Sequence, residues 1–119
     1  MTSRRILLID DHDPIRFGLR CLLEAEGYQV QEADDGLEGV RKARDWRPHI
    51  AVVDIDLPLL DGYGVVRQLR ELLGDDIRLI ALTGREERER ALAAGFDAYL
   101  HKPATQERFQ RLLQEEVTR

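Results

Sequence analysis

The sequence predicts a single α/β domain built around a parallel sheet. Short apolar runs alternate with longer segments of helical periodicity along the whole chain, which is the pattern of repeated βαβ units. The runs Ile6–Ile9 and Ile50–Val53 are continuously apolar, as expected for strands that helices cover on both faces. At 119 residues the chain suits one domain and is too short for two. We therefore expect one (βα)5 domain over residues 1–119, without an output domain.

Five strands are predicted from short runs of apolar and β-branched residues between turn residues. They are Ile6–Ile9, Gln29–Ala33, Ile50–Asp54, Arg78–Leu82 and Ala98–Leu100.

The first helix is predicted to begin with Asp13 as its N-cap and Pro14 at its first helical position, and to stop at Gly27. One apolar stripe is expected to face the core, formed by Ile15, Leu19, Leu22 and Leu23. Three further helices are predicted at about Leu37–Asp45, Gly64–Leu73 and Glu86–Ala94. A fifth helix starts after Thr105, with an apolar face of Phe109, Leu112, Leu113 and Val117.

The composition indicates a soluble, cytoplasmic globular protein, with 43% apolar and 34% charged residues and no apolar run of membrane-spanning or signal-peptide length. The net charge of −5 argues against nucleic acid as a direct partner, because phosphate backbones favour basic surfaces. No membrane contact is expected either. The single cysteine, Cys21, matches no metal-ligand spacing, and its place among small residues of the first helix predicts a packed, inert thiol.

Polar side chains follow four of the predicted strands at the point where each strand ends. Asp10 and Asp11 follow the first strand, Asp54 ends the third, Thr83 follows the fourth and Lys102 follows the fifth. Open α/β sheets bind ligands at this edge. If the strand order is 2-1-3-4-5, these five residues converge in one cleft.

This residue set predicts phosphoryl transfer. Three crowded carboxylates raise one another's pKa values and need a cation, and oxygen ligands without histidine or cysteine suit Mg²⁺. A lysine ammonium can hold one phosphoryl oxygen and a threonine hydroxyl can donate to another. Only two of the 18 cationic residues are lysines, Lys42 and Lys102, which modestly supports a specific use of Lys102. Asp54 would then be the covalent acceptor, forming an aspartyl phosphate.

Four segments together resemble the receiver domain of two-component response regulators. They are "DD" after the first strand, "VVDIDLPLLDGYGV", "LIALTG" and "GFDAYLHKP", in that order and spacing, and the similarity spans essentially the whole chain. The resemblance implies a flavodoxin-like (βα)5 three-layer sandwich with a five-stranded parallel sheet of order 2-1-3-4-5. It also implies a signalling domain rather than an enzyme, in which Asp54 receives a phosphoryl group from the phosphohistidine of a histidine kinase and slowly loses it again.

The same resemblance implies roles for single residues. Asp11 would bind Mg²⁺ directly together with Asp54, Asp10 through water, and Asp56 through its backbone carbonyl. Lys102 would contact the phosphoryl group.

Two residues are expected to form the switch. Thr83 would move toward the phosphoryl group, and Tyr99 matches the aromatic residue that changes rotamer with it, although a plain core role suits Tyr99 equally well.

The resemblance also implies partners. Output would pass through the face of the fourth helix, fifth strand and fifth helix, to a downstream protein or to attached kinase domains. The phosphodonor would be a histidine kinase or a histidine phosphotransfer domain, and a homodimer stays open. "LIALTG" and "GFDAYLHKP" are most similar to receivers attached to hybrid histidine kinases.

Several positions depart from the commonest receiver pattern, and two of them lie next to the residues of the expected site. Asp56, two residues after the acceptor, adds negative charge beside the phosphoryl site, and Arg85, two residues after the threonine, could offset it by pairing. We expect the pair to tune loss of the phosphoryl group. Asp61 and Gly62 suit turn chemistry before the third helix, with Gly62 supplying a positive φ.

Three other functions are weighed against the receiver. A haloacid-dehalogenase-like phosphatase shares the Asp nucleophile, Thr, Lys and Mg²⁺, but its Asp-x-Asp pair follows the first strand and has Thr or Val where this chain has Pro58. A receiver used only for docking, without phosphorylation, is less favoured because all five site positions are intact. A flavodoxin-type cofactor binder has little support, because the acidic loop after the first strand does not suit a phosphate.

Overall fold

Five parallel strands alternate with five helices in the computed structural model, which describes residues 4–102 and 105–117. The strands are β1 (Arg5–Ile9), β2 (Gln29–Ala33), β3 (Ile50–Asp54), β4 (Arg78–Thr83) and β5 (Ala98–His101). Their order in the sheet is β2-β1-β3-β4-β5, and every neighbouring pair is parallel. The predicted fold class and strand order are confirmed, and the strand bounds differ from prediction by at most one residue at each end.

The helices are α1 (Asp13–Ala25), α2 (Gly36–Trp46), α3 (Gly62–Leu73), α4 (Arg88–Ala94) and α5 (Gln106–Val117). They lie on both faces of the sheet, so the molecule has three layers. Pro103 and the side chain of Val117, both singled out in the sequence, fall outside the described part of the chain. Among the described residues, none of the helices has the length and apolar character that crossing a bilayer requires.

The core consists of two apolar clusters, one on each face of the sheet. Leu7 and Ile9 of β1 point into a cluster with α2, α3 and α4, whereas Ile6 and Leu8 point into a second cluster with α1 and α5. Side chains of a strand alternate between faces, so a strand covered on both sides must be apolar at every position. This explains the continuous runs in β1 and β3.

Helix α1 departs from the prediction at its start. His12, not Asp13, is the N-cap, and its Nδ1 accepts a hydrogen bond from the Ile15 N–H at 3.4 Å. The Asp10 carboxylate accepts the His12 N–H at 2.8 Å, which fixes the turn one residue earlier than expected. Asp13 instead forms an ion pair with Arg16 at 2.7 Å inside the first turn.

Helix α1 buries only part of its predicted apolar stripe. Leu23 is fully buried and Leu19 is partly buried, but Ile15 is 46% exposed. Cys21 is exposed, so the prediction of a packed thiol is wrong. The helix contacts the sheet mainly through its second half, and the strip that carries Cys21 and Gly18 faces solvent.

The loop of residues 55–61 brings α3 close to the end of β3. Asp61 is the N-cap of α3 and accepts the Gly64 N–H at 2.9 Å, as turn chemistry predicted. The predicted positive φ at Gly62 is wrong, since the positive φ in this loop belongs to Leu59, at 68°. Gly62 is required for another reason, because a Cβ there would lie 2.6 Å from the Cα of Ile55.

Candidate functional site

The carboxyl ends of β1 and β3 bring three carboxylates together. The two strands are paired up to Ile9 and Val53, so the residues that follow, Asp10 and Asp54, lie side by side. Carboxylate oxygens of Asp10, Asp11 and Asp54 lie within 4.8 Å of one another. Asp10 and Asp54 are buried, at 4% and 2% exposure, whereas Asp11 is exposed. The convergence expected of these three carboxylates is confirmed.

Both oxygens of Asp54 are held by neighbouring groups. Oδ1 accepts the Asp56 N–H at 3.0 Å, and Oδ2 accepts a hydrogen bond from Lys102 Nζ at 3.0 Å. The backbone of Lys102 is anchored in turn, since its N–H donates to the Thr83 carbonyl at 2.7 Å. The strand ends therefore fix the carboxylate and the ammonium relative to each other.

Lys102 stays charged in this position. Burial lowers the pKa of Lys102, but the hydrogen bond to Asp54 and the charges of Asp54, Asp10 and Asp56 raise it, and the balance lies above the ordinary value. A protonated ammonium beside the acceptor carboxylate can contact an oxygen of an incoming phosphoryl group.

One carboxylate oxygen of Asp10 lacks a hydrogen-bond partner in the described part of the chain. Its Oδ1 accepts the His12 N–H, but its Oδ2 is buried without a hydrogen-bond partner among the described residues. Burial raises the pKa of Asp10, and the charges of Asp54 and Asp11 add to this rise, although the hydrogen bond from His12 opposes it. A buried carboxylate oxygen without a partner, next to two other carboxylates, fits a divalent cation with oxygen ligands such as Mg²⁺.

Thr83 and Tyr99 are connected through the backbone of Arg85. Thr83 is fully buried, and its Oγ1 accepts the Arg85 N–H at 3.1 Å, which leaves the hydroxyl hydrogen for another acceptor. Tyr99 is 7% exposed, and its hydroxyl donates to the Arg85 carbonyl at 2.7 Å. Of the two roles considered for Tyr99, the core position is confirmed.

The side chains of Asp56 and Arg85 form an ion pair over the site, as the sequence suggested. Asp56 Oδ1 accepts a hydrogen bond from the Arg85 guanidinium, and both side chains are largely exposed. The pair joins the loop after β3 to the loop after β4. Arg85 also lies 3.8 Å from the carboxylate of Glu87.

The other acids of interest lie outside this cluster. Asp61 caps α3, and Asp35 caps α2 by accepting the Glu38 N–H at 2.8 Å. Asp34, Asp35 and Glu38 form a second acidic group, but Glu38 is paired with Lys42 at 3.3 Å, and the cap and this ion pair explain two of its three acids. The sequence interpretation missed His12, whose backbone N–H orients Asp10. His12 directly precedes an aspartate, which is the more favoured N-cap residue type, so the sequence pattern does not identify His12 as the cap.

The family model of the response regulator receiver domain matches residues 6–114 of this chain. The chain belongs to this family. Response regulator MprA of Mycobacterium ulcerans (strain Agy99) is 44% identical over 104 residues, which cover 85% of this chain and 44% of MprA. The corresponding match to MprA of Mycobacterium leprae (strain TN) is 44% identical over 102 residues. The receiver thus spans less than half the length of these curated relatives.

Solved receivers have the same architecture. The receiver domain of sensor histidine kinase PA1611 from Pseudomonas aeruginosa PAO1, described with a magnesium ion coordinated in its active-site cleft, is 33% identical, with a TM-score of 0.89 and coverage of 99% of this chain and 100% of that one. Chemotaxis protein CheY4 of Vibrio cholerae is 27% identical, with a TM-score of 0.88 and coverage of 96% and 98%. Family membership separates the chain from the haloacid-dehalogenase-like and flavodoxin-type families and leaves the docking-only receiver open.

Proposed function

We propose that this receiver is the phosphoacceptor of a two-component phosphorelay and that Asp54 is the residue phosphorylated. The observation that carries the proposal is the buried Asp54 carboxylate held at 3.0 Å by Lys102, beside the carboxylates of Asp10 and Asp11. A buried acid paired with a partly buried lysine at the end of core strands has no packing advantage over apolar residues, so a chemical role accounts for the pair better.

The transfer is a displacement at phosphorus. A carboxylate oxygen of Asp54 forms the new O–P bond while the N–P bond to the donor histidine breaks, and the electron pair of that bond stays on the imidazole. Lys102 contacts a phosphoryl oxygen, and the Thr83 hydroxyl donates to another. Asp11, Asp54 and the Asp56 carbonyl, with Asp10 through water, would hold Mg²⁺, which supplies positive charge for the carboxylates and the phosphoryl oxygens.

The switch would run through Arg85. When the Thr83 hydroxyl turns to the phosphoryl group, it loses the hydrogen bond from the Arg85 N–H. The Arg85 carbonyl accepts the hydrogen bond of the Tyr99 hydroxyl, so a movement of the Arg85 backbone would be felt by Tyr99. A change at Thr83 thereby reaches Tyr99 in β5.

Output would follow on the face of α4, β5 and α5. That face contains a groove of about 190 Å³ whose lining includes Tyr99, Leu112 and three arginines, Arg88, Arg108 and Arg111. A downstream protein or attached kinase domains would bind there, and a homodimer is an alternative occupant.

The partners and the location belong to the same proposal. The phosphodonor is a histidine kinase or a histidine phosphotransfer domain in the cytoplasm, where kinase ATP is available. Neither nucleic acid nor membrane is a direct partner, in keeping with the net charge of −5. Phosphoryl loss is a slow self-catalysed step rather than turnover of a substrate.

The first experiment is intact mass measurement after incubation with acetyl phosphate, with and without Mg²⁺. We expect one added phosphoryl group that requires Mg²⁺, is absent in Asp54→Asn and is retained in the control Asp34→Asn, an exposed acid of the second cluster. Labelling of Asp54→Asn equal to wild type would move the acceptor elsewhere. No labelling by acetyl phosphate or by phosphorylated kinases would favour the docking-only receiver.

A further inference from the structure

Arg16 of α1 connects the helix to the loop that carries two of the clustered carboxylates. Its side chain is only 14% exposed, and every nitrogen of its guanidinium has a partner. Nη1 donates to the Asp10 carbonyl at 2.6 Å, Nε donates to the Glu32 carboxylate at 2.9 Å, and Nη2 pairs with the Asp13 carboxylate at 2.7 Å. Because a guanidinium is planar, contacts with these separate groups fix both its position and its plane.

The Asp10 carbonyl lies at the start of the loop between β1 and α1, which consists of residues 10–12. The Asp10 N–H donates to the Ala33 carbonyl at 3.1 Å, so the peptide groups on both sides of Asp10 are held. Since a peptide group is planar, holding the Asp10 carbonyl also sets the direction in which the chain continues to Asp11. Arg16 therefore influences where both carboxylates lie.

A contact with the carbonyl suits a cation site better than a contact with the carboxylate would. An arginine hydrogen-bonded to the Asp10 carboxylate would neutralise it and compete with Mg²⁺ for its oxygens. Arg16 binds the backbone instead, and Oδ2 of Asp10 stays without a hydrogen-bond partner among the described residues. Arg16 thus orients the acid and leaves one of its oxygens available for the ion or for a water bound to it.

The loop needs such a restraint because its carboxylates are repelled by each other and by Asp54. Oxygens of Asp10, Asp11 and Asp54 lie within 4.8 Å of one another, and Asp11 is exposed, so repulsion would move the loop outward. A loop that is already held in place loses less conformational entropy when the ion binds. Preorganisation of the loop therefore favours the affinity for Mg²⁺.

Attachment of α1 to β2 does not by itself account for this geometry. Arg20, one turn further along α1, also pairs with Glu32, at 2.7 Å, and it pairs with Glu24 at 3.3 Å. Within the part of the chain that the structure describes, Arg20 has no hydrogen bond or ion pair with the loop between β1 and α1. Since Arg20 already joins the helix to the strand, the additional contact of Arg16 with the loop carbonyl indicates a role at the cation site.

We propose that Arg16 is a positioning residue of the cation site, which acts through the Asp10 carbonyl to hold Asp10 and Asp11 close to Asp54 for Mg²⁺ to bind. The inference rests on the proposed phosphoacceptor function and adds to it a residue that contacts neither the ion nor the phosphoryl group. Replacement of a residue that orients metal ligands typically lowers metal affinity roughly 10- to 100-fold.

The test compares Arg16→Gln with the matched control Arg20→Gln. Each variant removes one positive charge and one partner of Glu32, but only Arg16→Gln frees the Asp10 carbonyl. The dissociation constant of Mg²⁺ is measured by isothermal titration calorimetry below the melting temperature, and urea unfolding measures the stability of each protein. The rate of labelling by acetyl phosphate is then measured across a Mg²⁺ titration.

We expect Arg16→Gln to bind Mg²⁺ about tenfold more weakly than wild type. Loss of a positive charge near the site would by itself tighten the binding of a cation, so a weaker affinity isolates the positioning effect. Labelling at low Mg²⁺ should be slowed by a similar factor, and it should return to within about twofold of wild type at saturating Mg²⁺. Arg20→Gln should lose stability but bind Mg²⁺ at least as tightly as wild type.

Arg16→Lys is a second variant that keeps the test valid if Arg16→Gln does not fold. It retains the positive charge, but an ammonium cannot hold a carbonyl and two carboxylates in the arrangement of the guanidinium. Its affinity for Mg²⁺ should therefore also fall below that of wild type.

Two results would overturn the positioning role and leave the proposed function intact. An Mg²⁺ dissociation constant equal to wild type in both Arg16 variants would make Arg16 a purely structural residue. Equal weakening in Arg20→Gln would assign the effect to the contacts of Glu32 rather than to the loop carbonyl. If the wild type itself neither binds Mg²⁺ nor is labelled by acetyl phosphate or phosphorylated kinases, the proposed function is refuted together with this inference.

Discussion

At the scale of single residues, Arg85 connects more of the site than any catalytic side chain does. Its N–H donates to Thr83, its carbonyl accepts from Tyr99, and its guanidinium pairs with Asp56. The backbone contacts belong to the proposed switch, whereas the side chain adds positive charge next to Asp56. Substitution of the side chain can therefore change the electrostatics without removing the two backbone hydrogen bonds.

Arg85→Gln should slow phosphorylation by acetyl phosphate roughly two- to fivefold at low salt. The Asp56 carboxylate would lose its counterion beside an incoming anion, and exposed ion pairs of this kind are worth about 0.2–1 kcal/mol. The measurement is the initial rate of labelling by intact mass.

The double variant Asp56→Asn/Arg85→Gln is the control and should return to near the wild-type rate, while high salt should shrink the defect. Loss of the phosphoryl group should change in the single variants too. Identical phosphorylation and dephosphorylation rates in all of these proteins would mean that the pair has no part in tuning.

The positions of the site residues were predictable because each lies at or just after the carboxyl end of a strand, and the strand order leaves few alternatives. Their exact contacts were not. Capping preferences favoured Asp13 over His12 as the N-cap. The sequence does not show that the Asp10 carboxylate accepts the His12 N–H, and this contact is seen only in the structure. It also assigned a positive φ to Gly62, where the constraint is instead the approach of Ile55.

At the scale of elements, Glu32 joins the edge strand β2 to the two helices beside it. Its carboxylate pairs with Arg16 at 2.9 Å and Arg20 at 2.7 Å of α1, and its carbonyl accepts a hydrogen bond from Lys42 of α2. Among the described strands β2 has only β1 as a neighbour, so these contacts help to hold the edge of the sheet.

Glu32→Gln should destabilise the protein by about 1–2 kcal/mol at neutral pH, since it removes charged partners from two arginines. Burial raises the pKa of Glu32, but its hydrogen bonds to Arg20 and Arg16 outweigh burial and hold the pKa below the ordinary value of 4.5. A lowered pKa in the folded state stabilises the fold above pH 4.5, and this stabilisation is lost as the pH falls through the lowered pKa.

Urea unfolding of both proteins at neutral pH and at about pH 3 measures the effect. The difference between wild type and Glu32→Gln should be large at neutral pH and should shrink in acid. A difference that grows in acid would contradict the assignment of the stabilisation to an ionised Glu32.

The existence and order of the elements followed from periodicity, but their packing did not. The apolar stripe of α1 has the spacing of a buried face, yet its Ile15 is exposed, as is Cys21 among the small residues of the same helix. Periodicity defines a face of a helix and not how much of its length the sheet covers. For the same reason α4 was predicted to begin at Glu86, whereas it begins at Arg88 without a side-chain cap.

At the scale of the whole molecule, we expect the stability of the fold to depend on the candidate cation site. Asp10, Asp11 and Asp54 join the ends of the two central strands, so their mutual repulsion acts on the middle of the sheet. A cation that binds only the folded chain shifts the unfolding equilibrium by mass action.

Addition of Mg²⁺ at about ten times its dissociation constant should stabilise the receiver by about 1.4 kcal/mol and raise its melting temperature by roughly 5 °C. Asp11→Asn should remove most of this rise, because it deletes a proposed Mg²⁺ ligand. Asp34→Asn should keep it, because this exposed acid lies in the other cluster. The measurement is thermal unfolding by circular dichroism across a Mg²⁺ titration, and an equal rise in Asp11→Asn would locate the ion elsewhere.

The parallel sheet has one more consequence, for the order in which the chain is made. Strand β1 lies between β2 and β3, and both of its neighbours come later in the sequence. At 5–20 residues per second, roughly 45 residues and about 2–9 s separate the synthesis of Ile9 from that of Asp54. During those seconds the apolar run of β1 lacks its final neighbour in the nascent chain. We therefore expect the ribosome-bound first third of this receiver to be where chaperones bind most strongly.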